Sequence, residues 1–140
     1  MEIVPDTSVI IDGRVSERVD AGEFADATVA IPEAVVGELE SQANDGRETG
    51  WEGLEELQRL IDLDEAGEIV VEYVGRRPDS TEKRDADEGD IDAIIRDIAE
   101  ERGATLITSD AVQAEVARAT GVSVTELDPE TRSFEELDIE

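Results

Sequence analysis

The chain has 140 residues with no histidine and no cysteine, and its 39 Asp and Glu against 12 Lys and Arg give a formal net charge of -27. That length suits one compact domain. The missing cysteines exclude disulfides and disfavour a structural zinc, and without His or Cys the imidazole and thiol routes to catalysis are closed. No apolar run approaches a membrane span and no segment reads as a signal peptide, so a cytoplasmic protein with no membrane partner is expected.

In chain order, Ile3-Val4 ends at Pro5-Asp6 and predicts a first strand. Residues 8–20 read as one short helix with Val9, Ile10 and Val15 apolar. Thr28 to Ile31 predicts a second strand stopped by Pro32, which suits the first turn of a helix. Val35, Val36, Leu39 and Ala43 give that helix one apolar face. Asn44-Asp45-Gly46 is a turn signal. Trp51, Leu54, Leu57, Leu60 and Ile61 follow at helical spacing, with Trp51 read as a core residue and Gly67 as the stop. Ile69 to Val74 is a third strand and residues 75–88 a polar loop. Ile91, Ile94, Ile95, Ile98 and Ala99 mark an amphipathic helix that Gly103 ends. Thr105 to Thr108 is a fourth strand, Asp110 opens a helix through Ala119, and Val122 to Leu127 is a fifth strand after Gly121. Residues 128–140 are expected to be an acidic tail or a linker, which leaves 1–127 as the domain.

Strands alternating with helices predict an α/β fold, a three-layer α/β/α sandwich around a central, mostly parallel five-stranded sheet of Rossmann-like type. Sites in such sheets form beyond the carboxyl ends of the strands. Asp6 follows strand one, Asp110 follows strand four, and Asp92 lies in the first turns of a helix starting at the same edge. Glu38 falls between Val35 and Leu39, close to the buried face of its helix. Converging carboxylates repel one another unless a hard cation neutralises them, and Mg²⁺ or Mn²⁺ with oxygen ligands fits best. That points to metal-dependent phosphoryl-transfer chemistry.

Each of these residues also has a plain structural role open to it. Asp6 and Asp110 are good N-caps. The helix dipole favours a carboxylate at Asp92, and most helix glutamates, Glu38 included, are simply solvated. Asp90 points about 200° away from Asp92 on a helix, so it is a candidate only for a further metal position or a supporting one. Thr7, Ser8, Thr108 and Ser109 flank the strand-end aspartates as candidate substrate contacts. Arg76 and Arg77, with Lys83 and Arg84, hold a third of the positive charge within nine residues. They are either phosphate contacts or the incidental charges of a polar loop.

Asp6-Thr7-Ser8 after strand one, Glu38 in the second helix, Asp92-Ala93 opening a helix and Thr108-Ser109-Asp110 after the next strand resemble a PIN domain. This is the nuclease family of many toxins and RNA-processing factors, and the likeness covers roughly residues 2–126. Asp12-Gly13-Arg14 and Gly89-Asp90-Ile91-Asp92 are most similar to the N-terminal PIN domains of archaeal proteins that also carry an ATPase and a KH region. The chain has no G-x-x-x-x-G-K-[ST] motif of its own. The resemblance implies Mg²⁺- or Mn²⁺-dependent cleavage of single-stranded RNA, with Asp6, Glu38, Asp92 and Asp110 holding the metal. It implies a homodimer in many members, an ATPase/KH region in a longer protein, or an antitoxin where the domain is a toxin. Two other readings stay open. One is a catalytically silent PIN module that docks RNA or regulates a larger ATPase-containing protein. The other is a phospho-acceptor signalling domain, which also uses Mg²⁺ and strand-end aspartates but expects a lysine at the end of the last strand, whereas Lys83 stands in a loop.

The charge itself reads as adaptation to high intracellular salt, the signature of a halophilic microbe. The Debye length falls to about 3 Å at molar salt, so self-repulsion is screened, and an acidic, hydrated surface keeps the chain soluble. A nucleic-acid binder usually shows a basic patch, yet in high salt the counterion-release contribution is already weak. The expected outcome is salt-dependent folding: with chelator present, circular dichroism should lose helical signal as KCl is dialysed to low millimolar levels. A full spectrum and an unchanged melting temperature at low salt would rule out the salt-adapted reading.

Overall fold

The computed structural model of the chain describes residues 1–75 and 88–128. Five strands pair there: β1 (Glu2–Pro5), β2 (Thr28–Pro32), β3 (Val70–Val74), β4 (Thr105–Thr108) and β5 (Val124–Glu126). All pairings are parallel, in the order β3-β2-β1-β4-β5. Central parallel strands are covered on both faces and read as unbroken apolar runs. Ile3, Val4, Val29, Ala30, Ile31, Leu106 and Ile107 are accordingly fully buried. β3 lies at the sheet edge and leaves Val70 and Tyr73 exposed. The last strand is shorter than the apolar run predicts, but Val122 and Leu127 at the ends of that run are still buried.

The helices are α1 (Thr7–Ile11), α2 (Arg14–Asp20), α3 (Glu33–Asn44), α4 (Glu48–Glu65), α5 (Glu88–Arg102) and α6 (Ala111–Ala119). From β1 through β3 the chain steps one way across the sheet, and from β3 through β5 it steps the other way. Right-handed crossovers therefore place α1 to α4 on one face and α5 and α6 on the other, which makes the three-layer sandwich. The strand order reverses between β1 and β4, so their carboxyl ends open the crevice where such folds bind ligands.

The expected single helix over 8–20 is two helices. Gly13 takes a left-handed conformation at φ 68° and ends one helical path before the next begins. Glu56 of α4 fills the gap: it is 0% exposed, and its carboxylate accepts from the Ser16 backbone N–H at 2.8 Å and the Ser16 hydroxyl at 2.6 Å. A buried charge needs such donors, and Arg59 adds another at 3.2 Å.

Trp51 is not a core residue: it is 59% exposed. The face that α4 gives the core runs through Gly50, Gly53, Leu57 and Leu60, and Trp51 stands about 100° away from Gly50 around the helix. The reading from apolar spacing missed the glycines because the contact with α3 is made by backbone. A Cβ at Gly50 would lie 2.7 Å from the Leu39 carbonyl oxygen and 2.8 Å from the Ala43 Cα. The polar loop expected at 75–88 lies almost wholly outside the described residues, with Arg76, Arg77, Lys83 and Arg84, as does the tail from residue 129.

Gly50→Ala tests this packing. An exposed helical Gly→Ala change gains roughly 0.5–1 kcal/mol, whereas overpacking against backbone costs about 1–3 kcal/mol. The expected result in chemical denaturation is net destabilisation, larger than for Gly53→Ala, whose neighbour is the movable Leu39 side chain. Stabilisation by Gly50→Ala would show that the two helices are not in backbone contact.

Candidate active site

Asp6 stands where β1 gives way to α1, with its backbone N–H still donating to the Ile107 carbonyl at 2.8 Å as the β1–β4 ladder ends. Its side chain is 2% exposed. Thr108 donates its hydroxyl to Asp6 Oδ2 at 2.7 Å, the Thr7 backbone N–H donates to Oδ1 at 2.7 Å, and Ser8 Oγ is 3.5 Å from Oδ2. Burial raises the Asp6 pKa, these hydrogen bonds oppose the rise, and the nearby Asp110 charge adds to it.

Asp110 is the N-cap of α6, as the plain reading allowed. Its Oδ1 accepts from the backbone N–H groups of Val112 at 2.9 Å and Gln113 at 3.3 Å. Its own N–H donates to Thr108 Oγ1 at 3.0 Å, so the Thr108 hydroxyl links the two strand-end aspartates. Thr108 is fully buried and Ser109 nearly so, beneath the cleft rather than on its wall. Ser109 donates its N–H to Ser8 Oγ at 3.2 Å. Thr108 holds the Asp6 carboxylate and the Asp110 backbone N–H and is not among the residues lining the cleft, whereas Thr7 and Ser8 are.

Glu38 projects from α3. It accepts from Thr7 Oγ1 at 2.9 Å and from Gln42 Nε2 at 3.4 Å, and Gln42 in turn accepts from Thr49 Oγ1 at 2.6 Å. Asp92, half-buried in α5, is placed through Gln113: this buried amide donates to the Asp92 carbonyl at 3.1 Å and accepts from Arg96. The Asp92 pKa is pushed up to about 7, by burial first and then by the charges of Asp6, Asp110 and Glu38, with Arg96 working against them.

Asp6, Glu38, Asp92 and Asp110 thus line one cleft of about 220 Å³, together with Thr7, Ser8, Ile11, Gln42, Arg47 and Thr49. Asp90 is exposed and takes no part in that wall. Gln42, Arg47, Thr49 and Gln113 were not singled out from the sequence, since polar residues of a turn or helix carry no pattern that reveals what they face. A larger groove between α3, α4 and β3, of about 590 Å³, is floored by Val36, Leu54, Leu57 and Ile61 and gathers no comparable set of charges.

The donor set suits a hard divalent cation. It is all oxygen, and the Asp92 pKa is raised by burial first and then by the charges of Asp6, Asp110 and Glu38, both of which a bound cation would offset. Among the described residues, however, no three acidic side chains are gathered tightly enough to form a ready-made cage. The cleft brings the four together at its walls, with space between them.

The PIN domain family model matches residues 3–119. An uncharacterized KH and PIN-domain containing protein of Methanocaldococcus jannaschii is 49% identical over 121 residues, 86% of this chain, and the match spans 19% of that longer protein. A solved domain of a functionally unknown protein from the same organism is 47% identical, superposes with a TM-score of 0.85 and covers 91% of each chain. A PilT N-terminus domain protein of Sulfolobus solfataricus is similar in fold alone, with a TM-score of 0.53 at 16% identity, covering 90% of this chain and 87% of its own.

The coupling among the carboxylates has a pH signature. The Asp92 carboxyl titrates near 3.8 when unperturbed and near 7 in the cleft. Between those values the folded state holds a proton that the unfolded state has released, so rising pH favours unfolding. The stabilisation is complete below the lower value and gone above the higher one. Asp92→Asn keeps the shape and removes the titration. In EDTA, the fall in melting temperature from about pH 4 to about pH 8 should be smaller for Asp92→Asn than for the unmodified chain. Equal falls would mean that the Asp92 carboxyl is not raised in the folded chain.

Proposed function

The chain belongs to the PIN domain family, and on that footing we propose that it is a metal-dependent endoribonuclease domain acting on single-stranded RNA. The observation that carries this reading is the meeting of Asp6, Glu38, Asp92 and Asp110, from four separate segments, on the walls of one cleft at the switch point of the sheet. RNA as substrate is favoured by the KH region in the name of the M. jannaschii relative, because KH modules clamp single-stranded nucleotides. We place the domain inside a longer protein of that KH-containing type rather than in a toxin–antitoxin pair, and in a salt-rich cytoplasm.

Asp6, Glu38, Asp92 and Asp110 would hold Mg²⁺ or Mn²⁺, which when bound supplies a water of lowered pKa and neutralises charge building on the phosphoryl group. The chain's own residues prepare that chemistry. Thr108 and the Thr7 N–H orient Asp6, and Thr7 and Gln42 orient Glu38. Gln113, at the start of α6, ties the backbone of Asp92 to the helix that Asp110 caps. Arg96 beside Asp92 offsets part of the shared charge. No histidine base is required, which matches a chain that has none.

The silent-module reading has one observation in its favour, the absence of a tight three-carboxylate cage among the described residues. Cleavage decides between the two. Labelled single-stranded RNA should be cut in Mn²⁺ at high KCl and spared when EDTA is added. Asp6→Asn should keep the folded spectrum and lose at least the roughly 100-fold that even outer partners of metal ligands are worth. Cleavage by Asp6→Asn at the unmodified rate, with contaminating nuclease excluded, would leave RNA docking as the function.

A further inference from the structure

Cations are scarce in this chain, 12 against 39 acidic residues, so every arginine has carboxylates to choose from. The described arginines take up partners. Arg14, Arg18, Arg59, Arg102 and Arg118 all pair with glutamates, and Arg96 donates to Gln113. Arg47 differs. Its guanidinium makes no ion pair and no side-chain hydrogen bond among the described residues, although it is exposed on the wall of the cleft that holds the four carboxylates.

Local structure opposes an arginine at this position. Arg47 is the N-cap of α4, with φ -84° and ψ 131°, and its side chain makes no capping bond. An N-cap is best filled by Ser, Thr, Asp or Asn, whose oxygen accepts from the first turn. A cation there also faces the positive end of the helix dipole. The root of the side chain is nevertheless held: the Arg47 N–H donates to the Gln42 carbonyl at 2.9 Å, and the Gly50 N–H donates to the Arg47 carbonyl at 3.2 Å. Gln42 is the same residue whose amide bridges Thr49 and Glu38. A fixed root with an uncommitted guanidinium, at a position where capping and dipole both favour another residue, is the pattern of a group kept for a ligand.

We propose that Arg47 forms a phosphate subsite for the RNA strand, gripping a backbone phosphate that enters the cleft along the α3–α4 turn. A guanidinium presents paired donors that match phosphate oxygens. Its charge excludes it from the metal's ligand set and suits it to the anion that the metal also attracts. This subsite rests on the reading of the cleft as one for RNA, and it supplies binding rather than chemistry.

The test measures binding separately from cleavage. A fluorescein-labelled single-stranded RNA oligonucleotide is titrated by anisotropy in Ca²⁺, across a series of KCl concentrations at which circular dichroism shows the chain folded. Arg47→Ala should weaken binding about tenfold, as loss of one charge-assisted hydrogen-bonded contact does. It should also flatten the slope of log affinity against log salt by about 0.7, the counterion release of one single-strand phosphate. Its melting temperature should hold or rise, because a cation is removed from the positive end of the α4 dipole and no capping bond is lost. Arg47→Lys should restore the slope but only part of the affinity. Arg118→Ala, an equal loss of charge at the far end of α6, should change neither. In Mn²⁺, Arg47→Ala should raise KM with kcat little altered. Arg47→Ala with the unmodified slope and affinity overturns the subsite even if the chain cleaves RNA. Binding that depends on Arg47 in a chain that does not cleave leaves the subsite standing and removes the nuclease assignment. An unmodified chain that binds no RNA overturns both.

Discussion

The hydrogen bond from the Thr108 hydroxyl to the Asp6 carboxylate joins residues 102 positions apart, and the site is organised around it. β1 and β4 pair in parallel over Ile3 to Pro5 and Thr105 to Ile107, so both strands end at one level. The next residues, Asp6 and Thr108 to Asp110, are delivered side by side. Burying a carboxylate is costly unless donors surround it. Thr108 and the Thr7 N–H meet that need, and Thr108 also accepts from the Asp110 N–H. A single buried hydroxyl thus ties the ends of two strands to the starts of two helices.

Charge placement follows from that arrangement. Asp6 faces a cleft with Glu38, Asp92 and Asp110, and burial together with the shared charge pushes the Asp92 pKa up to about 7. Such tension is uneconomical in a domain that only needs to fold. A well-packed apolar substitute would relieve it, as buried charges elsewhere show. The chain tolerates the tension at the switch point of the sheet, where ligands bind in folds of this kind. Away from the cleft its buried carboxylate is neatly satisfied: Glu56 is held by Ser16 and Arg59.

The second support of the site is the packing of α4 on α3. Gly50 lets the two backbones meet near Leu39 and Ala43. That contact brings Thr49 and Arg47 beside Gln42, and through Gln42 beside Glu38. Helix packing and site geometry are therefore one structure on this side of the cleft, as strand pairing and site geometry are on the other. The match to a solved M. jannaschii domain at a TM-score of 0.85 carries the same frame into a second chain.

Much of this was legible in the order of residues alone. Alternating apolar runs and helical spacing are local properties, so the strands, most helix boundaries and the parallel α/β architecture follow from periodicity, and strand-end aspartates point to the edge where a site forms. What periodicity could not supply depends on distances between remote segments. Gly13 splits a helix because Glu56, 43 positions on, caps the second half. Trp51 fits the apolar series yet faces outward, because α4 turns Gly50 to the α3 backbone and Gly53 to the Leu39 side chain. Thr108 resembles a surface hydroxyl of a strand-end motif until its pairing buries it. The raised Asp92 pKa, the Gln113 bridge and an Arg47 guanidinium that takes no partner among the described residues arise only when segments far apart in sequence share one small volume. The sequence by itself determined which residues could carry charge to the sheet edge; the tertiary structure decided which charges meet, because electrostatic and hydrogen-bond energies depend on separation in space.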